Sequence, residues 1–164
     1  MRNLFVALIL MVFPTFSQAS VIETALPDPE LRGKAVFRFV GLPVYEARLF
    51  TDSGTPLDWS RDFGLELVYK RSLSKEALVG STMDELARIG HPLPVRDQLS
   101  RCFDKVGKGD RYLAVTQGQD RIGFWRNGAK VCTLRYPKIA RHFMSIFLGD
   151  NTRSASFTRR LRGN

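Results

Sequence analysis

The sequence predicts an α+β domain, a mainly antiparallel sheet covered by helices on one face, and three observations predict it. Apolar and polar residues alternate along Leu31–Phe50 and again along Phe63–Lys70, the period of half-buried strands. Asn127-Gly128, the strongest short hairpin signal in the chain, separates two more alternating runs. Helical patterns are set apart from the strand runs and do not interleave one-to-one with them, which favours antiparallel pairing over a parallel, doubly wound sheet.

Taken in order, Arg2, the apolar run Leu4–Phe13, Pro14 and the small residues of Ser17-Gln18-Ala19 have the layout of a secretory leader, with cleavage expected after Ala19. The run is short of the roughly 20 apolar residues that span a bilayer, so residues 1–19 read as a signal peptide, a retained anchor being the alternative, and residues 20–164 as a single domain. Residues 20–30 read as an extended entry segment because Pro27 and Pro29 each bias the preceding residue away from helix. Leu31–Phe50 holds two strands joined through Gly41-Leu42-Pro43, with Phe37, Phe39, Tyr45, Ala47 and Leu49 on one face and Arg38, Glu46 and Arg48 on the other.

A third strand is expected over Phe63–Lys70. Ser74 then caps a helix reaching Ile89, with Val79, Met83 and Leu86 as its apolar stripe. A shorter helix is expected over Val95–Val106. Strands follow at Tyr112–Thr116, Ile122–Arg126 and Ala129–Arg135, then an amphipathic helix carrying Ile139, Phe143, Ile146 and Phe147, and a last helix from Ser154 to Leu161 beside Arg153, Arg159, Arg160 and Arg162.

Composition narrows the function classes. The chain has 25 Lys and Arg against 16 Asp and Glu, a net charge of +9; taking Arg2 away with the leader leaves 24 against 16, or +8. For an exported protein this charge points away from nucleic acid and to anionic lipid head groups, lipopolysaccharide or acidic ligands, a basic but uncommitted solvated surface being the alternative. Cys102 and Cys132 either pair in an oxidising compartment or are two separately buried thiols. No metal is expected, since His91 and His142 are not at zinc-site spacing. Gly107-Lys108-Gly109-Asp110 lacks the phosphate-loop pattern and reads as a turn, and no Gly-x-Ser-x-Gly nucleophile elbow is present. What remains is a pocket between sheet and helices, with Phe37, Tyr45, Tyr69, Arg38 and Arg48 as candidate ligand contacts if their side chains turn inward.

Gly33, Val44-Tyr45-Glu46-Ala47-Arg48-Leu49-Phe50, Leu65-Glu66-Leu67-Val68-Tyr69, Leu78-Val79, Glu85-Leu86, Val106-Gly107-Lys108-Gly109-Asp110, Asn127-Gly128 and Phe143–Gly149 stand in an order and spacing that resemble the bacterial exported chalcone isomerase-like proteins. The resemblance implies an open-faced β-sandwich with a ligand cleft between sheet and helices. It implies one of two activities, chalcone cyclisation or non-catalytic fatty-acid binding, neither requiring a cofactor. The family's catalytic arginine follows a Gly-x-Gly-x-Arg pattern. Here Gly33 opens it, Ala35 replaces the second glycine and Phe37 stands in the arginine's place. Leu78 and Glu85 fall where the enzymes carry a tyrosine and an asparagine, and Thr152 and Thr158 compete for the C-terminal threonine. A phenylalanine gives no stabilisation to a developing oxyanion, so chalcone isomerase activity is expected to be absent.

Three functions fit: a non-catalytic binder of a lipid, fatty acid or other amphipathic ligand; an isomerase or intramolecular lyase using Tyr45 or Tyr69; and a basic domain at an anionic membrane surface. Periplasmic export is expected, and the sequence does not fix an oligomeric state.

Overall fold

The structure is a computed structural model, and it describes residues 21–164; the leader expected over residues 1–19 lies outside the described residues. Six antiparallel strands lie side by side in sequence order: β1 (Pro29–Phe39), β2 (Leu42–Asp52), β3 (Gly64–Tyr69), β4 (Arg111–Thr116), β5 (Arg121–Arg126) and β6 (Ala129–Arg135). Five helices accompany them: α1 (Val21–Ala25), α2 (Lys75–Arg88), α3 (Arg96–Cys102), α4 (Ile139–Leu148) and α5 (Ala155–Leu161). The expected α+β architecture is the observed one.

Helices α2 to α5 cover the sheet face formed by every second residue. Ala35, Ala47, Leu49, Leu65, Ala114, Ile122, Phe124 and Leu134 are buried there in one core with Leu86, Leu99, Met144, Leu148 and Leu161. Local chemistry starts and stops these helices. The Ser74 hydroxyl accepts the Ala77 N–H at 3.1 Å, and Gly90, at φ 89°, takes the left-handed conformation just beyond α2. The Ser154 hydroxyl accepts the Phe157 N–H at 3.3 Å and opens α5.

The other face departs from expectation at the entry segment, where residues 21–25 form α1. Two prolines do stop that helix, but only after Ile22 and Leu26 have packed over Leu113 and Val115. Gly64 makes room: a Cβ there would lie 2.5 Å from Ile22 Cδ1. Beyond α1 this face carries an ionic ladder. Arg48 donates to Glu46 at 2.8 Å and to Glu66 at 3.4 Å, and Lys70 and Arg111 flank it, each 3.8 Å from a carboxylate.

Helix α3 is shorter than the expected Val95–Val106. Cys102 and Cys132 are joined in a disulfide, with Cα atoms 5.2 Å apart, which fastens the end of α3 to β6. The Tyr112 hydroxyl accepts the Asp104 N–H at 2.9 Å, drawing the following chain out of helix. Val106 instead exchanges backbone hydrogen bonds with Leu73 at 2.9 and 3.0 Å.

At the opposite edge α5 lies on β1. Gly33 makes this possible, since a Cβ there would meet the carbonyl oxygens of Leu161 and Arg160 at 2.5 and 2.6 Å. Arg32 reinforces the contact by donating to the Arg162 and Gly163 carbonyls at 3.0 and 3.2 Å. Gly33 is thus a helix-docking residue in this chain.

Candidate functional site: a groove between β1 and α5

Once α5 is seated over Gly33, the remainder of β1 diverges from it and a groove of about 520 Å³ opens between them. Its apolar floor is Ala35, Phe37 and Phe157; Lys34, Arg38 and Arg160 stand around it, with Ser154, Ser156 and the single carboxylate of Glu46. Glu46 is already engaged by Arg48, whose hydrogen bond is the leading cause of its lowered pKa. Three cations therefore face a groove whose one acid is neutralised from the other side.

Inward from the floor the groove meets an aromatic wall. Phe37 stacks on Tyr45 at 5.2 Å between ring centroids, and Phe157 meets Phe37 edge-on at 5.8 Å. Tyr45 also touches Tyr69, Phe147 and Phe157, each at 6.2 Å. These are the offset and edge-to-face distances that ring quadrupoles favour. Where the sequence suggests a ligand cleft, these rings hold the space between sheet and helices. Burial, first, pushes up the hydroxyl pKa of Tyr45, and the charge of Glu85 adds to it; burial does the same for Tyr69. Both hydroxyls stay protonated at neutral pH and make poor general acids.

The candidates are thus divided. Phe37, Tyr45 and Tyr69 share the helix-covered face in contact with one another. Arg38 lines the groove from the strand's other side, helped by a register shift between Phe37 and Arg38. Arg48 does not turn inward: it belongs to the ionic ladder on the open face. Phe39, expected on the apolar face, is 55% exposed, because beyond the shift the hairpin runs past the covering helices.

Sequence reasoning passed over Lys34 and Arg160 as groove residues. Arg160 is conspicuous in the basic tail, but only the close approach of α5 at Gly33 assigns it a partner strand. It also missed an ionic cluster behind the wall, where the half-exposed Arg153 and the partly exposed Arg88 both donate to the buried Glu85. Burial acts to raise the Glu85 pKa, yet the two guanidinium hydrogen bonds outweigh it and hold the carboxylate ionised. Thr152 and Thr158, rivals for one family position, are hydrogen-bonded to each other at 2.7 Å.

Elsewhere a cavity of about 240 Å³ at the start of α4 is lined by Trp59, Arg61, Lys138 and Arg141 among others, with the Arg141 guanidinium 4.0 Å above the Trp59 ring. None of the five candidate ligand contacts reaches it. His91 and His142 lie against each other at 3.9 Å. Among the described residues no three His, Cys, Asp or Glu side chains gather as metal ligands.

No protein-family profile matches the sequence, and no curated protein does. Among solved structures the chain is similar to the Arabidopsis thaliana fatty-acid binding protein AtFAP1, with a TM-score of 0.64 at 11% identity over 84% of this chain and 88% of that one. The fold is the chalcone isomerase-like one.

Proposed function

We propose that this protein is an exported, non-catalytic carrier of an amphipathic ligand with an anionic head, a fatty acid or a close chemical relative. The observation that carries the reading is the groove between β1 and α5, apolar at Phe37 and Phe157 and basic at Lys34, Arg38 and Arg160. An acyl chain lies against the two rings and a carboxylate or phosphate meets the guanidinium groups, the pairing for which arginine's fork geometry is suited. A structural neighbour that bears the name of a fatty-acid binding protein supports the ligand class. Export is supported by the pattern of Arg2, Leu4–Phe13 and Ser17-Gln18-Ala19, and by a disulfide, which persists in oxidising compartments.

The absence of a cation at position 37 and the raised tyrosine pKa values speak against catalysis. The purified protein is expected not to convert naringenin chalcone above background. Titration with oleate tests the binding reading: saturable binding is expected, weakened roughly tenfold in the Arg38→Glu/Arg160→Glu double variant through loss of charge-assisted contacts in a half-open groove. Oleate binding that is absent, or indifferent to both substitutions, rules the groove out.

A further inference from the structure

We infer that the turn joining β1 and β2 is a membrane wedge: Phe39, Val40 and Leu42 enter the apolar margin of an anionic phospholipid bilayer, and Arg38 with its basic neighbours meets the headgroup phosphates. Isolated apolar residues on a protein surface are ordinary. Here, however, three of the exposed large apolar side chains fall within four consecutive residues, with Phe39 55%, Val40 84% and Leu42 58% exposed. Among the described residues the tip stands clear at Gly41, where an added Cβ would meet nothing within 4 Å.

Val40 breaks a second rule. Its φ is 49°, a left-handed conformation that suits Asn, Asp or Gly and opposes a β-branched side chain. Val40 is thus both strained and apolar in water, two costs that folding does not repay.

Charge selects the partner. Arg38 donates to the Gly41 carbonyl at 3.1 Å, which holds its guanidinium at the base of the tip. Lys70 is brought to the same end of the sheet because its N–H donates to the Val44 carbonyl at 2.9 Å; its ammonium stays 3.8 Å from the Glu46 carboxylate, and the exposed Arg71 follows it. Lys34 and Arg160 continue the basic surface along the neighbouring groove. An apolar tip inside a basic collar matches a bilayer interface, with acyl chains beneath and anionic headgroups around. Among the described residues no helix is long and apolar enough to cross a membrane.

The wedge shares Arg38, Lys34 and Arg160 with the proposed ligand groove but not its apolar residues, because Phe39, Val40 and Leu42 do not line that groove. Flotation of residues 20–164, which contain all six strands and their core, tests it with phosphatidylglycerol–phosphatidylethanolamine vesicles and with pure phosphatidylcholine vesicles. The protein is expected to float with the anionic vesicles and to be released by high salt. Val40→Asp/Leu42→Asp should reduce the bound fraction about tenfold through lost apolar burial, with oleate binding kept. Val40→Asn should weaken flotation while raising Tm, a pair of opposite signs that a purely structural role would not give. No flotation of the parent protein, or flotation undiminished in the double variant, would overturn the proposal. So would a dimer in sedimentation velocity that the double variant converts to monomer, since the tip would then be a protein interface.

Discussion

The molecule contains two hairpins of nearly the same backbone and of opposite chemistry. Val40-Gly41 and Asn127-Gly128 each close two antiparallel strands with two residues of positive φ, 49° and 78° in the first and 47° and 90° in the second. Asn is among the residues this turn prefers, and Asn127 is further held by donating to Asp110 at 2.9 Å and accepting the Arg111 N–H at 2.8 Å. Valine at the equivalent place has neither advantage, and it projects into water. One hairpin is built for folding, and the other gives up stability at its tip beside the groove that carries the proposed function.

The largest loss of stability is expected at the β5–β6 hairpin. Cys132 lies on β6, and Cys132→Ala releases that strand from α3, with an expected loss of about 3–4 kcal/mol for a 30-residue separation, measurable by urea unfolding. An unchanged midpoint would mean that the disulfide does not fasten this end.

Exchanging the turn residues is the next largest effect. Asn127→Val should destabilise by about 1–2 kcal/mol, the penalty for a left-handed side-chain residue plus lost hydrogen bonds. Val40→Asn should stabilise by about 1 kcal/mol by removing the same penalty from the first turn. Equal and small effects at both sites would erase the contrast.

The smallest expected effect is a pH dependence near the start of α4. Burial first, and then the charges of His91 and Lys138, hold the His142 pKa below its ordinary 6.5. The folded protein therefore binds fewer protons than the unfolded chain below that value. Stability should be full above about pH 6.5 and decline as pH falls through the lowered folded value. His142→Gln should flatten the decline in urea midpoints taken between about pH 7.5 and about pH 5, a window above the range in which Glu85 titrates. A parent midpoint independent of pH would contradict the assignment.

Much of this fold is legible in the sequence because its signals are local. The alternation in Phe63–Lys70, the cap at Ser74, the Asn127-Gly128 turn and the stripe Ile139, Phe143, Ile146 and Phe147 each specify an element from neighbours a few residues away. What escapes reading depends on contacts far apart in sequence. Residues 21–25 look extended because their apolar partners, Leu113 and Val115, are some ninety residues on. Arg48 follows strand parity, yet parity does not say which face the helices cover; Glu46 and Glu66 hold it on the open one.

The site is legible only in halves. Phe37 and Arg38 can be singled out from β1 alone, whereas Arg160 and Phe157 join them through the backbone approach at Gly33. The family resemblance directs attention to Phe37, one residue of the groove's apolar floor, and not to Lys34 and Arg160, which supply cations around it.

Whether the basic groove between β1 and α5 holds an amphipathic anion is decided by native mass spectrometry of the protein purified without added lipid from an expression host, followed by solvent extraction and lipid analysis. The expected result is a mass adduct that dissociates to a long-chain carboxylate or phosphate ester and that is depleted in the Arg38→Glu/Arg160→Glu variant. A folded protein that carries no adduct, yields no such lipid and acquires none when oleate is supplied would contradict it.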